Sequence, residues 1–161
     1  MRNNVSGPLA AIAALAILSD CGSSPPTFSL DNEVVDATFA CPSGSNNAPY
    51  ELNASLVAHN PTSTAVTIES ITAQLKLQAT KGPWLEKLGT VYDAGTATFA
   101  PESVRAGANA SIKVNITSAC TSDKSIIAPL SYGEYAVTLH VTTSSGSFTV
   151  TSKNRHRIVA T

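Results

Sequence analysis

The feature that most constrains this chain is a period-two alternation of apolar and polar residues, which recurs after residue 30 where no helical period does. It is clearest between Tyr50 and His59. The apolar residues that share one face there are Tyr50, Leu52, Ala54, Leu56 and Ala58. Successive side chains of a β-strand point to opposite faces of a sheet, so this spacing predicts a strand with one buried face. The same alternation in residues 112–120 and 135–141 predicts two more strands.

Two irregularities modify this pattern. Between Val66 and Leu77 the apolar residues move from even to odd positions, and this slip of one residue predicts a β-bulge near Glu69–Ser70. In residues 81–88, Trp84 and Leu88 are four positions apart, which predicts one turn of helix.

The remaining strand candidates are shorter. Residues 35–41 alternate and predict a first strand that places Val35, Ala37, Phe39 and Cys41 on one face. Short strands are expected at residues 91–92 and 97–100. Ser144-Ser145-Gly146 predicts a hairpin turn that leads to a last strand.

An apolar leader precedes the alternating segments. Residues 5–18 are largely apolar, follow the single basic residue Arg2, and are followed by small and polar residues. This length of about 14 residues fits the apolar region of a signal peptide, whereas a helix that spans a bilayer needs about 20. A buried core helix is the alternative, but the run begins just after Met1 and precedes a Gly-Ser-Ser-Pro-Pro segment. We therefore expect residues 1–20 to be a signal peptide and the protein to be exported.

The end of the leader resembles the lipobox of bacterial lipoproteins, in which a Cys that follows Leu and two small residues receives diacylglycerol on cleavage. Leu18, Ser19 and Cys21 match this pattern, and Asp20 stands where Gly, Ala or Ser is usual. The resemblance implies lipidation of Cys21 and anchoring to a membrane of the bacterial cell envelope. The alternatives are cleavage nearby by an ordinary signal peptidase, or an uncleaved anchor.

The residues after Cys21 indicate where the folded domain begins. Ser, Gly and Pro dominate residues 22–26 and are typical of a flexible tether. We expect residues 21–30 to form a lipid-anchored tether and residues 31–161 a single domain.

The number of cysteines agrees with a lipid anchor. Three thiols in an exported protein leave one unpaired unless Cys21 carries lipid. Cys41 and Cys120 then remain as a pair, and an oxidising compartment permits a disulfide.

Six or seven short strands separated by turns are typical of a Greek-key β-sandwich. Residues 31–159 resemble immunoglobulin-like and fibronectin-type-III-like modules. In particular, residues 99–107 (FAPESVRAG) and the alternating residues 111–114 resemble the proline, Ala-Gly turn and strand that are common in bacterial domains of this class. The resemblance implies an all-β fold, a single antiparallel immunoglobulin-like sandwich of about seven strands. Because this fold hosts many unrelated functions, it indicates architecture rather than activity.

The same resemblance predicts a disulfide between Cys41 and Cys120. In immunoglobulin-like sheets the first and fifth strands flank the second and run in the same direction. Both cysteines end such strands, so they are expected at one end of the sandwich, where the chain must curve inward to bring them within bridging distance.

The histidines argue against an enzyme. His59 and His140 fall on the solvent side of their strands, and His156 falls in the basic segment 153–157, so all three are expected to be solvated. No nucleophile elbow, phosphate loop or metal-binding helix motif is present in the sequence. We therefore expect no catalytic residues, no metal ligands and no cofactor.

Charge limits the partners. The formal net charge is −1, and the signal peptide contains one residue of each sign, so its removal leaves the balance unchanged. This offers no electrostatic attraction for nucleic acid.

Binding is the activity that the sequence favours. Trp84 and Tyr92 flank a long connection, and exposed aromatic side chains on loops are frequent contact residues. Such side chains can equally fold back over the sandwich edge. The expectation is a non-enzymatic, membrane-anchored envelope lipoprotein whose domain has a structural role or binds a protein or glycan of the envelope. A secreted carbohydrate- or peptide-binding module and a small exported enzyme are the alternatives.

Overall fold

The computed structural model describes residues 25–123 and 131–161, and these form eleven β-strands. The predicted signal peptide and Cys21 lie outside this range. The strands are β1 (Ser29–Val35), β2 (Thr38–Cys41), β3 (Ala48–Asn60), β4 (Val66–Lys81), β5 (Val91–Thr96), β6 (Thr98–Ala100), β7 (Ser103–Val104), β8 (Ala108–Cys120), β9 (Tyr132–Thr143), β10 (Gly146–Thr151) and β11 (His156–Ala160).

The strands form two sheets. One has the order β1-β3-β8-β6 and the other β2-β11-β9-β4-β5, while β10 also pairs with β9 and β7 with β4. All pairs are antiparallel except β2 with β11. This is the strand order of an immunoglobulin-like sandwich, so the predicted fold class is confirmed. The strands outnumber the expected seven mainly because the first and last strands are each broken in two.

Alternate residues of the long central strands build the core. Leu52 pairs with Ile116 and Leu56 with Ile112 across β3 and β8, and all four side chains are buried. The inward residues of β9 are Tyr135, Val137, Leu139 and Val141, as the alternation predicts. Each fully buried aliphatic side chain of this kind contributes about 1.5–3 kcal/mol.

The predicted slip in β4 is also present. The pairing of β4 with β9 shifts register between Ile68 and Ser70, so a bulge moves the buried face from even to odd positions.

The predicted single strand over residues 35–41 is wrong, because the chain changes sheets within it. β1 pairs with β3 in one sheet, whereas β2 pairs with β11 in the other. Asp36 lies at the crossing, where its Oδ2 accepts a hydrogen bond from the backbone N–H of Asn53 at 3.0 Å. Ala37 is therefore exposed rather than aligned with Phe39.

The predicted disulfide joins Cys41 and Cys120, with their Cα atoms 6.0 Å apart. Its geometry differs from the expected one. Cys41 ends β2 and Cys120 ends β8, so the bridge connects the two sheets across the core. The cysteines come together because the chain crosses to the second sheet before it reaches Cys41. The expected cause was different, namely an inward curve of the chain beyond the end of a single sheet.

Two boundaries also differ from expectation. Phe28 is already buried, with its ring edge-on to that of Phe148, so the folded part begins before residue 31. The helical turn predicted over residues 81–88 is absent, and Leu88 is 65% exposed. Gly82 and Gly89 interrupt this segment with positive φ angles of 69° and 88°, which do not continue a helix.

Candidate functional site

A pocket of about 160 Å³ opens at the end of the sandwich where β4 leads into β5. Its inner part is formed by core residues, among them Leu75 of β4 and Ile158 of β11. Trp84, Glu86 and Tyr135 also line it, together with Tyr92. The pocket therefore combines an apolar interior with polar groups, as ligand sites commonly do.

The connection between β4 and β5 positions Trp84 and Glu86. Its base is closed at Leu77, whose N–H donates to the carbonyl of Thr90 and whose carbonyl accepts from the N–H of Gly89, both at 2.9 Å. These two bonds tie the end of the connection that leads into β5 to β4.

A chain of hydrogen bonds fixes the polar side of the pocket. Trp84 donates from Nε1 to the Tyr135 hydroxyl at 3.1 Å, and that hydroxyl donates to Oε2 of Glu86 at 2.7 Å. Burial raises the pKa of Tyr135, and the bond to Glu86 raises it further, so the hydroxyl keeps its proton and remains a donor. The Glu86 carboxylate is thereby held at the pocket.

Gly133 allows the indole to reach Tyr135. A Cβ atom added at this residue would lie 2.6 Å from Cε2 and 2.7 Å from Nε1 of Trp84. These distances are shorter than van der Waals contact, so a larger residue would displace Trp84.

Exposed apolar side chains occur at the pocket and in the segments next to it: Leu85 and Tyr92 line the pocket, whereas Leu88 and Val91 do not. Of the five exposed large hydrophobic side chains among the described residues, four belong to the connection or to β5. They are Leu85 (55% exposed), Leu88 (65%), Val91 (53%) and Tyr92 (40%). Exposed apolar side chains grouped in this way are typical of an interaction surface.

The two predicted binding residues, Trp84 and Tyr92, both line the pocket. One folds back over the edge of the sandwich and the other is an exposed contact residue, so each of the two alternatives occurs once. Trp84 is half-buried and folds back onto β9, whereas Tyr92 remains exposed. Sequence reasoning missed Glu86 and Tyr135. Tyr135 was correctly placed on an inward face, but nothing in the sequence connects it to Glu86, which is 49 positions away.

The prediction that all three histidines are solvated is wrong for His156, which is 1% exposed. Its Nδ1 lies 2.7 Å from the carbonyl oxygen of Asp36, so this nitrogen carries the proton and donates. Nε2 then accepts from the Tyr50 hydroxyl at 3.1 Å. Burial lowers the pKa of His156, which favours this neutral form. The imidazole is thus enclosed and engaged at both nitrogens.

The other two histidines lie on the sheet surfaces, as predicted. His59 faces Asn109 with Nδ1 at 2.9 Å and Asp31 with Nε2 at 3.4 Å. His140 faces Thr149 at 3.2 Å. Both pairings are cross-strand contacts of partly exposed side chains.

A buried carboxyl group lies outside the pocket. Glu33 in β1 is fully buried, and neither carboxyl oxygen has a partner within hydrogen-bond geometry among the residues that the structure describes. Burial raises its pKa from 4.5 to about 8, and the backbone of Leu139 lowers it by less. Glu33 sits where the pairing of β1 with β3 shifts register, between Asp31 and Val34.

Among residues 25–123 and 131–161, no three His, Cys, Asp or Glu side chains are grouped as a metal site would require. In the same part of the chain, no helix has the length and apolar character needed to cross a membrane.

Comparison with known proteins adds similarity of fold at most. No family model matches the chain, and no curated protein matches it at a significant level. Three solved structures illustrate the range. The ASH/PapD-like domain 7 of human CEP192 is 13% identical, with 94% of this chain and 98% of that chain covered and a TM-score of 0.34. AggA, the major subunit of aggregative adherence fimbriae type I from Escherichia coli, is 7% identical, with coverages of 84% and 97% and a TM-score of 0.32. Structural genomics target SoR45 is 10% identical, with coverages of 86% and 90% and a TM-score of 0.39.

Proposed function

We propose that the chain is a bacterial envelope lipoprotein, anchored through Cys21, whose sandwich domain is a non-enzymatic binding module. The observation that supports this most is the position of the Trp84 pocket relative to the N-terminal segment. This pocket, which is lined by the aromatic side chains of Trp84, Tyr92 and Tyr135, lies at the end of the domain remote from the proposed anchor.

Strand pairing defines these two ends. Ser29 pairs with His59, and Asn60 pairs with Ala108, so the N-terminal segment enters beside the end of β3. Ala48 at the other end of β3 pairs with Cys120, which lines the pocket. β3 has 13 residues, and its length of about 40 Å at 3.3 Å per residue separates the two ends. A tether from Cys21 would attach the domain at one end and leave the pocket at the other.

The absence of catalysis is part of the proposal. The buried His156 has both nitrogens engaged, and His59 and His140 form cross-strand contacts on the surface. A histidine acts as a general base only where one of its ring nitrogens can reach a reacting proton. The small exported enzyme is therefore the weakest alternative.

The anchor is tested by mass spectrometry of the protein extracted from bacterial envelopes with detergent. We expect a chain that starts at Cys21 and carries added acyl mass, and we expect Cys21→Ser protein to lose membrane attachment. Asp20→Gly should speed processing, because it restores the small residue usual at this position of a lipobox. A water-soluble product with a free amino terminus at another residue would favour the secreted binding module instead.

A further inference from the structure

We propose that the Trp84 pocket binds a small organic cation, an ammonium group with short alkyl substituents. This deepens the proposed binding function and rests on it. The argument uses the charge of the pocket, its aromatic side chains and its volume.

The charge of the lining favours a cation. Among residues 25–123 and 131–161, Glu86 is the one residue with a formal charge that lines the pocket, and no Lys or Arg of these ranges lines it. The ion pairs among the described residues join His59 to Asp31 and Arg157 to Glu134, so neither involves Glu86. An anion would therefore meet a carboxylate with no basic side chain beside it. A cation would gain the attraction of that carboxylate in a partly desolvated site.

The aromatic side chains favour an ammonium with carbon substituents over a bare metal ion. Trp84, Tyr92 and Tyr135 all line the pocket. The face of an aromatic ring attracts a cation, most strongly for Trp, and aromatic cages bind quaternary ammonium groups in this way. A metal ion would instead need several oxygen or nitrogen ligands, and within the described part of the chain Glu86 supplies the only carboxylate in the lining.

Volume sets the size of the ligand. The cavity measures about 160 Å³. A cavity of about 150 Å³ holds a benzene molecule, so the pocket suits a ligand of about six non-hydrogen atoms. Choline and butylammonium have this size and provide a quaternary and a primary ammonium for comparison.

Trp84 makes the experiment direct, because it is the only tryptophan of the chain and its fluorescence reports on the pocket. The full-length protein in neutral detergent is titrated with choline, with butylammonium and with 3,3-dimethylbutanol, a neutral analogue of choline. N-acetylglucosamine tests the carbohydrate alternative. We expect a saturable change in fluorescence with at least one of the two ammonium compounds. Where choline binds, its affinity should be at least about tenfold higher than that of its neutral analogue. Whether choline or butylammonium binds more tightly distinguishes the quaternary from the primary class.

Variants locate the binding. Glu86→Gln should weaken ammonium binding about tenfold, because it removes the charge and keeps the shape. Glu102→Gln, which changes an exposed carboxylate outside the pocket, should have no effect. Tyr92→Leu should weaken binding while keeping this position apolar.

Several results would overturn the inference. They are the absence of a saturable change with either ammonium, equal affinity for the bound ammonium and its neutral analogue, and unchanged binding in Glu86→Gln. Binding of N-acetylglucosamine without ammonium binding would refute the ligand class and leave the proposed binding function intact.

Discussion

Replacing Glu33 by Gln should remove a loss of stability that the native chain suffers as the pH rises from 6.5 to 8.5. Glu33 is fully buried without a hydrogen-bond partner among the described residues, and its pKa is raised from 4.5 to about 8. Below pH 4.5 the carboxyl is protonated in both the folded and the unfolded chain and has no effect. Above that pH the unfolded chain releases the proton while the folded chain retains it, so the free energy of unfolding falls until about pH 8.

The magnitude follows from the shift. One pKa unit corresponds to about 1.4 kcal/mol, so the whole shift costs about 5 kcal/mol above pH 8. His156 has the opposite effect in acid, because its pKa lies below the ordinary 6.5 and the unfolded chain gains a proton as the pH falls. Above pH 6.5 this contribution changes by only about 0.4 kcal/mol, and above about pH 7.5 it is constant. The native chain should therefore lose about 2 kcal/mol between pH 6.5 and 8.5 through Glu33.

Urea denaturation at several pH values measures this loss. Glu33→Gln should show a nearly constant free energy of unfolding over the same range, and Glu33→Leu should do so as well, since neither side chain titrates. Glu102→Gln serves as the control, because this exposed carboxylate should leave the pH profile unchanged. A Glu33→Gln profile parallel to that of the native chain would show that the Glu33 carboxyl is hydrated or paired, and the reasoning would fail.

Three further predictions follow from the disulfide, the pocket and the histidines. Reduction of the bridge between Cys41 and Cys120, which are 79 positions apart, should cost about 4 to 5 kcal/mol in the loop-entropy model, measured as a lower melting temperature with a reductant; equal melting temperatures would contradict it. Gly133→Ala should displace the indole of Trp84 and shift its fluorescence to the red, whereas Glu102→Gln, which changes an exposed side chain outside the pocket, should leave the emission unchanged. The purified domain should be inactive in esterase, peptidase and glycosidase screens, and an activity that His59→Ala or His140→Ala abolishes would refute the non-enzymatic proposal.

The sequence predicts the long strands well because each has one buried face. In β3 and β8, burial alternates as strictly as the apolar residues do, and the slip in β4 appears at the predicted residues. The sequence is less informative where backbone pairing decides the structure. Residues 35–41 alternate without interruption, yet the strand breaks at Asp36 because the two halves pair in different sheets. Similarly, Trp84 and Tyr92 indicated a contact surface, but the bond between Tyr135 and Glu86 depends on a tertiary contact.

The burial of Glu33 and His156 was not predicted from the sequence. Their ionisable side chains favour the surface, whereas their positions in the period-two alternation place them on the buried face. His156 is in phase with the buried Ile158 and Ala160, yet it was expected to be solvated as part of a basic segment, and Glu33, in phase with the buried Val35, was not predicted to be buried. The alternation was the better guide.

The change of sheets at Asp36 gives the polar side chains of Asn154 and His156 a structural role. A chain that leaves one sheet and joins another exposes backbone groups that no neighbouring strand pairs, and buried groups of this kind need other partners. Asn154 supplies them for Val35, whose N–H donates to Oδ1 at 3.0 Å and whose carbonyl accepts from Nδ2 at 2.7 Å. His156 supplies one for the carbonyl of Asp36. Residues 153–157, which appear in the sequence as a solvated basic segment, therefore include the side chains that hold the crossing. Because the crossing carries Cys41 into the second sheet, these side chains also help to place Cys41 within reach of Cys120.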